Sequence, residues 1–155
     1  MIESGQSTLS TDITIRFAVD SDAPFIYDFI CTLEETALDK VVFDTIFRTN
    51  LRNPLIHYLV ADRLGKVLGF VSCHIQYLLH HGGKVGEIQE LFVRPEARNQ
   101  LIGHQLVDAL TTLAIQEGFV NLEVTTNQKR TDTIRFYERE AFSRTHVKLV
   151  KPLFS

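Results

Sequence analysis

The feature that most constrains this chain is a strand, a helix and a second strand in immediate succession between Val85 and Thr126. "VGEIQELFV" has the composition of a strand, and "VNLEVTT" has it again. Between them, Ile102–Gln116 places Ile102, Leu106, Ala109, Leu110 and Leu113 on one helical face, with Gly118 as its stop. Two strands joined through a helix lie parallel, and the crossover is right-handed. The rest of the chain must be built around this unit.

Upstream, "ITIRFAV" alternates as a strand, and two helices follow. Phe25, Ile26, Phe29, Ile30 and Leu33 share a face of the first, and Phe43, Ile46, Phe47 and Leu51 a face of the second, which Arg52-Asn53-Pro54 ends. "HYLVADRLGKVLGFVSCHIQYLL" predicts a hairpin turning near Gly65-Lys66, and His80–Lys84 the next turn. Downstream, "TDTIRFYERE" reads as a short helix and "SRTHVKLV" as a closing strand. The order β-α-α-β-β-β-α-β-α-β predicts an α/β (α+β mixed) fold. Its mixed central sheet has about six to seven strands and helices on both faces. A 155-residue chain with 45% hydrophobic residues suits one domain over 12–155, behind a Ser/Thr-rich flexible arm over 1–11.

A net charge of −3 argues against a general binder of nucleic acid or anionic membrane. No apolar run approaches the roughly 20 residues of a membrane span, and the N-terminus lacks a secretion pattern, so a cytoplasmic location is expected. Cys31 and Cys73 have no CxxC spacing and read as buried free thiols.

Ligands of such sheets sit at the C-terminal ends of parallel strands, near the next helix's N-terminus. Here that place is "RPEARNQLIG". A helix N-terminus binds phosphate through free N–H groups and partial positive charge. Arg98 adds a forked cation, Asn99 and Gln100 suit a turn, and Gly103 permits close backbone approach. The loop has one glycine, so it is no GxGxxG fingerprint, and no GK[ST] makes it a P-loop.

"LFVRPEARNQLIG" resembles the acetyl-CoA-binding core of the GNAT acetyltransferases: a strand, then [RQ]-x-x-G-x-[GA], then a helix. "TNQKRTDTIRFYEREAF" (126–142) resembles that family's N…FY…GF segment. Within the family, "NLRNP", "CHIQYLLHHGGKVGEIQELFV" and "TTNQKR" are similar to the bacterial aminoalkylphosphonate N-acetyltransferases. Two glycines of the pattern are replaced, by Leu101 and Ala141. A Leu101 side chain turned into the core would leave the phosphate cradle intact, and one turned outward would weaken it.

The resemblance implies acetyl transfer from acetyl-CoA to a primary amine. Coenzyme A contacts are then expected from Leu91, Phe92, Val93, Arg98, Asn99, Gln100, Leu101, Ile102, Gly103, His104 and Asn127. A primary amine with a pKa near 10 lies roughly 4 kcal/mol from its neutral form at pH 7, and a carboxylate acting directly or through water can remove the proton. Glu87 is the first candidate. Glu90 is the second, because simple alternation turns it to the opposite face unless a β-bulge shifts the register. Tyr137 matches the family's general acid, protonating the departing thiolate.

Arg48, Arg52, His80 and Arg130 are candidates to hold an anionic acceptor such as a small aminoalkylphosphonate. His80-His81 has no third ligand at a metal-binding spacing, so no metal ligands are assigned. The resemblance does admit a divalent ion bridging an anionic substrate. The partner implied is a small-molecule amine, with a homodimer as a candidate assembly. The competing readings are a catalytically silent acyl-CoA-binding or regulatory module on the same fold, and a protein or peptide N-acetyltransferase.

Overall fold

The computed structural model describes residues 13–154, so the expected arm over 1–11 lies outside them. Five strands form one sheet in chain order: β1 (Thr14–Phe17), β2 (Ile56–Arg63), β3 (Lys66–Leu78), β4 (Gly83–Val93) and β5 (Asn121–Val124). The first three pairings are antiparallel, as hairpins demand, and β4–β5 is parallel, as the crossover demands. The β2–β3 turn passes through Leu64 and Gly65, both left-handed.

Four helices cover the sheet: α1 (Ala23–Glu34), α2 (Lys40–Leu51), α3 (Ile102–Gln116) and α4 (Thr131–Arg139). Pro24 sits in the first turn of α1, where its missing N–H costs nothing. Asp39 caps α2, its carboxylate accepting the Val42 N–H at 2.9 Å. Alternation along the strands sorts apolar residues into two cores. Leu59, Ala61, Val71, Cys73 and Ile88 pack with Ile102, Leu106, Leu110 and Tyr137 on the α3–α4 face. Val60, Val67, Phe70 and Phe92 pack with Ile26, Phe29 and Phe47 on the α1–α2 face.

Two expectations need correction. The sheet has five strands among the described residues, not six or seven, because residues 143–150 form no strand and are all exposed. Their alternating pattern suits a strand, but pattern does not specify which edge will accept it. The second correction concerns register. On β3–β4, Cys73 opposes Ile88 and Ser72 opposes Glu90, which leaves Gln89 as the extra residue of a bulge. Glu90 therefore faces the α1–α2 side with Ser72 and Phe92. Glu87, next to Ile88 of the other core, faces that side too. The carboxylates share a face.

Candidate active site

Parallel pairing of β4 with β5 covers only Val85–Ile88 against Asn121–Val124. Beyond it, β4 runs on to Val93, paired through Leu91, Phe92 and Val93 with β3 alone. The strands part at Ile88, freeing β4 backbone groups on that side for a ligand. One of them, the Val93 carbonyl, accepts a hydrogen bond from Arg98 Nε at 3.2 Å.

The loop that follows buries Ala97 in a short 3₁₀ turn and then exposes Arg98, Asn99, Gln100 and Leu101. Asn99 (φ 68°) and Leu101 (φ 60°) are left-handed. Asparagine tolerates this conformation, while leucine is strained in it by about 1–2 kcal/mol. The backbone at Leu101 thus holds a conformation for which glycine is the natural residue. Its side chain points outward, 69% exposed. The Cβ stands at the rim of the loop and fills no core space.

Leu101 is the N-cap of α3, and no side chain caps that end. First-turn N–H groups, including those of Ile102 and Gly103, are therefore unclaimed by a cap, and Arg98 lies exposed in the loop that leads into them. This donor set fits a pyrophosphate. Gly103 has a different use from close ligand approach: a Cβ there would come within 3.3 Å of the Phe136 ring, so it seats α3 against α4. His104 reinforces that contact, its Nδ1 2.9 Å from Glu140. Gln100 is tied to β2 by Arg63 at 2.6 Å. Asn127 spends its side chain on the turn into α4, accepting the Lys129 N–H at 2.9 Å.

Tyr137, on α4, is 5% exposed and packed edge-on by Phe136 and Phe142. Burial pushes its phenol well above the ordinary range, so it stays protonated at any physiological pH. Its hydroxyl has no hydrogen-bond partner among the described residues. Ala141 (φ 69°) sits just past α4, left-handed like Leu101.

On the opposite face, α1 and α2 enclose a cavity of about 220 Å³ against the sheet. Ile26, Ile30, Val42, Phe43, Phe47 and Phe70 give it an apolar wall; Tyr58, Asp39 and Glu90 are its polar members. Phe43, Phe47 and Tyr58 stack in series, with centroid separations of 5.9 and 5.5 Å. The Tyr58 hydroxyl accepts from Asn50 Nδ2 at 2.7 Å, and burial raises its pKa, keeping its own proton available.

Glu90 is fixed by Ser72. The Ser72 hydroxyl donates to the Glu90 carboxylate and accepts the Glu90 N–H at 3.0 Å. Glu87 lies one residue before the last paired rung of β4 and β5, where it accepts from Thr125 Oγ1 at 3.1 Å.

Ser72, Tyr58 and Asp39 went unread in the sequence. Only Ser72 carries a signal there, a hydroxyl in the middle of an apolar strand; a fully buried polar group of that kind must have a partner. Arg48, Arg52, His80 and Arg130 are all exposed, and none lines this cavity. Arg52 lines a separate cleft with Phe17, Asn53, Pro54 and His57, and Tyr58 forms the wall common to both.

Residues 23–142 match the Acetyltransferase (GNAT) family model. The chain belongs to the GNAT acetyltransferase family. The acetyltransferase is 42% identical over 139 residues to the aminoalkylphosphonate N-acetyltransferase of Salmonella typhimurium, 90% of each chain being covered. Its fold is that of a transcriptional regulator from Bacillus halodurans C-125 (TM-score 0.84, 23% identity, 91% and 99% of the two chains). It is also that of an aminoglycoside N-acetyltransferase solved with coenzyme A (TM-score 0.81, 16% identity, 90% and 93%).

No helix among the described residues of the acetyltransferase is long and apolar enough to cross a membrane. Nor do three or more His, Cys, Asp or Glu side chains gather there as a group that could hold a metal ion. His80 and His81 stack on each other at 4.3 Å, and His81 leans toward Glu123. Both cysteines are free, Cys73 buried and Cys31 only half-buried. Burial, with Glu117 and Glu87 adding to it, pushes the Cys73 thiol up to about 12, so it is inert as a nucleophile.

Proposed function

We propose that this N-acetyltransferase binds its acceptor amine in the cavity between α1, α2 and the sheet, and that Glu90 takes the amine proton. One observation carries the proposal: the bulge at Gln89 turns Glu90 into the wall of that cavity, next to the point where β4 and β5 part.

Acetyl-CoA, the donor that GNAT acetyltransferases use, supplies the activated acetyl group. The α3 N-terminus and Arg98 hold its pyrophosphate, while β4 backbone between Leu91 and Val93, on the side that β5 leaves, aligns the pantetheine arm and polarises the thioester carbonyl. Glu90, oriented by Ser72, accepts the ammonium proton and leaves a neutral amine for attack. Glu87, on the same face, is the second candidate for this step. Tyr137 donates its phenolic proton to the leaving thiolate. A site with an oriented carboxylate, a protonated buried tyrosine and an uncapped helix end supports an enzyme over a silent binding module.

The leading acceptor is a small aminoalkylphosphonate, supported by the Salmonella relative's named activity. Arg48, Arg52, His80 and Arg130 lie outside the cavity wall and are the side chains proposed to hold its phosphonate. A second reading, an amine with an apolar body, is favoured by the aliphatic and aromatic walls of the cavity itself.

A panel of amines with acetyl-CoA, read by thiol release, separates these readings. Preference for aminomethyl- or aminoethylphosphonate supports the first, and preference for phenethylamine-like or alkyl amines supports the second. Preference for lysine peptides contradicts both, and coenzyme A binding without turnover on any amine returns the chain to a silent module.

A further inference from the structure

The turn between β2 and β3 docks on the loop that leads into α3. Arg63 donates through Nη2 to Gln100 Oε1 at 2.6 Å, and Lys66 reaches Glu96 at 3.7 Å. From the loop side, Arg94 donates its backbone N–H to the Leu68 carbonyl at 2.8 Å and its Nε to the Val67 carbonyl at 2.7 Å. The turn is itself fixed. Asp62 accepts the Gly65 N–H at 2.7 Å and is held in its place by Arg16 Nε at 3.0 Å.

Of these contacts, only that of Arg63 reaches past the buried Ala97. Beyond Ala97, residues 98–101 are exposed, and Asn99 and Leu101 are left-handed without being glycine. Burial holds none of the four in place, and the leucine is strained in that form. Arg98 ties the loop to the Val93 carbonyl, but its side chain is the one proposed to meet the pyrophosphate. The grip of Arg63 on Gln100 is left to hold the loop's shape. For the fold alone, Arg63 is a poor choice. Its Nε is buried with no partner among the described residues, and an unpaired buried N–H is destabilising.

We infer that Arg63 is a positioning residue for acetyl-CoA: by gripping Gln100 it keeps residues 98–101 in the form that presents the first-turn N–H groups of α3 to a pyrophosphate. Without the grip, the free loop relaxes to less strained forms, and binding must restore the left-handed one at a loss of affinity. The inference rests on the reading that this loop takes the pyrophosphate. It gives Arg63 no contact with the reacting atoms, so the effect falls on cofactor binding and not on the chemical step.

Calorimetric titration with acetyl-CoA, together with steady-state thiol release, tests it on the full chain. Arg63→Met keeps the aliphatic stem and removes the guanidinium. Its acetyl-CoA Kd should rise by about five- to tenfold, with kcat at saturating acetyl-CoA within about twofold of the parent. Arg63→Lys should recover part of the affinity. Gln100→Ala should weaken binding as much as Arg63→Met, and the double variant no further, since all remove one contact. S-acetylpantetheine has the thioester but no pyrophosphate, so its kcat/KM should be the same in the parent and in Arg63→Met. Damage to the fold would slow both thioesters, and an equal loss with both overturns the inference. Unchanged acetyl-CoA affinity in Arg63→Met, with Arg98→Ala weakened, overturns it too and leaves the pyrophosphate site standing. Unchanged affinity in Arg63→Met, Gln100→Ala and Arg98→Ala alike removes the site and the inference together.

Discussion

At the scale of single residues, the account rests on side chains whose surroundings decide their protonation. Tyr137 is held neutral by burial against Phe136 and Phe142. Tyr137→Phe keeps that packing and removes only the donor. kcat should fall by about 10²–10⁴-fold with the acetyl-CoA KM nearly unchanged, measured by steady-state thiol release. Leu101 makes a separate prediction. Its side chain is outside and its backbone is left-handed, so Leu101→Gly relieves strain and loses little packing. Thermal or denaturant unfolding should show a stability equal to the parent or up to about 1 kcal/mol higher, with acetyl-CoA bound at least as tightly. A loss of stability would mean that the leucine has a partner after all. Of these residues, Arg98 could be placed at the head of α3 from the composition of its loop, and Tyr137 on α4 from the resemblance of its segment to the family. Ser72 could not be placed, because a serine between Val71 and Cys73 looks the same in sequence whether or not it meets a carboxylate across the sheet.

Elements set where those residues point. The central element is the bulged strand β4, in which one extra residue, Gln89, brings Glu87 and Glu90 to one face. Nothing local in "GEIQELFV" announces the bulge, since it is a mismatch against β3 and belongs to the pair of strands. The βαβ crossover was legible because periodicity is written into one segment at a time. The junction of β1 with α1 carries its own test. Burial pushes the Asp22 carboxyl up, but hydrogen bonds from Arg16 and the Val19 N–H outweigh it and hold it below the ordinary carboxylate range. A carboxyl with a depressed folded pKa contributes stability that is present above its unfolded pKa, near 3.9, and is lost as pH falls through the lower folded value. Asp22→Asn should therefore cost about 1–3 kcal/mol at neutral pH, by leaving Arg16 short of a partner, and the difference should shrink as pH drops below about 4. Urea unfolding of both proteins from pH 7 to pH 3 reads this directly. A constant difference across that range would mean that the pair contributes shape and not charge.

For the whole molecule, the order of strands and helices and the two-sided cover of the sheet could be read from the chain, since hairpins and a crossover leave few topologies. The count of strands could not. Residues 143–150 have a strand's pattern and pair with no strand among the described residues, and partner choice lies outside what alternation records. The cavity between α1 and α2 was also invisible, because it is a gap between apolar faces that sequence shows only as faces. The proposed acetyl transfer takes place in this cavity, which has Glu90 in its wall. The most direct test is the pH dependence of kcat/KM for the wild type, Glu90→Gln and Glu87→Gln, with the best acceptor of the panel. Glutamine keeps size and most hydrogen bonding but accepts no proton. The account predicts that Glu90→Gln is slow at pH 7 and recovers in part toward pH 10, where the amine is neutral without help, while Glu87→Gln follows the wild-type profile at a reduced level. Rescue at high pH in Glu87→Gln alone, with Glu90→Gln close to wild type, would contradict it and make Glu87 the base.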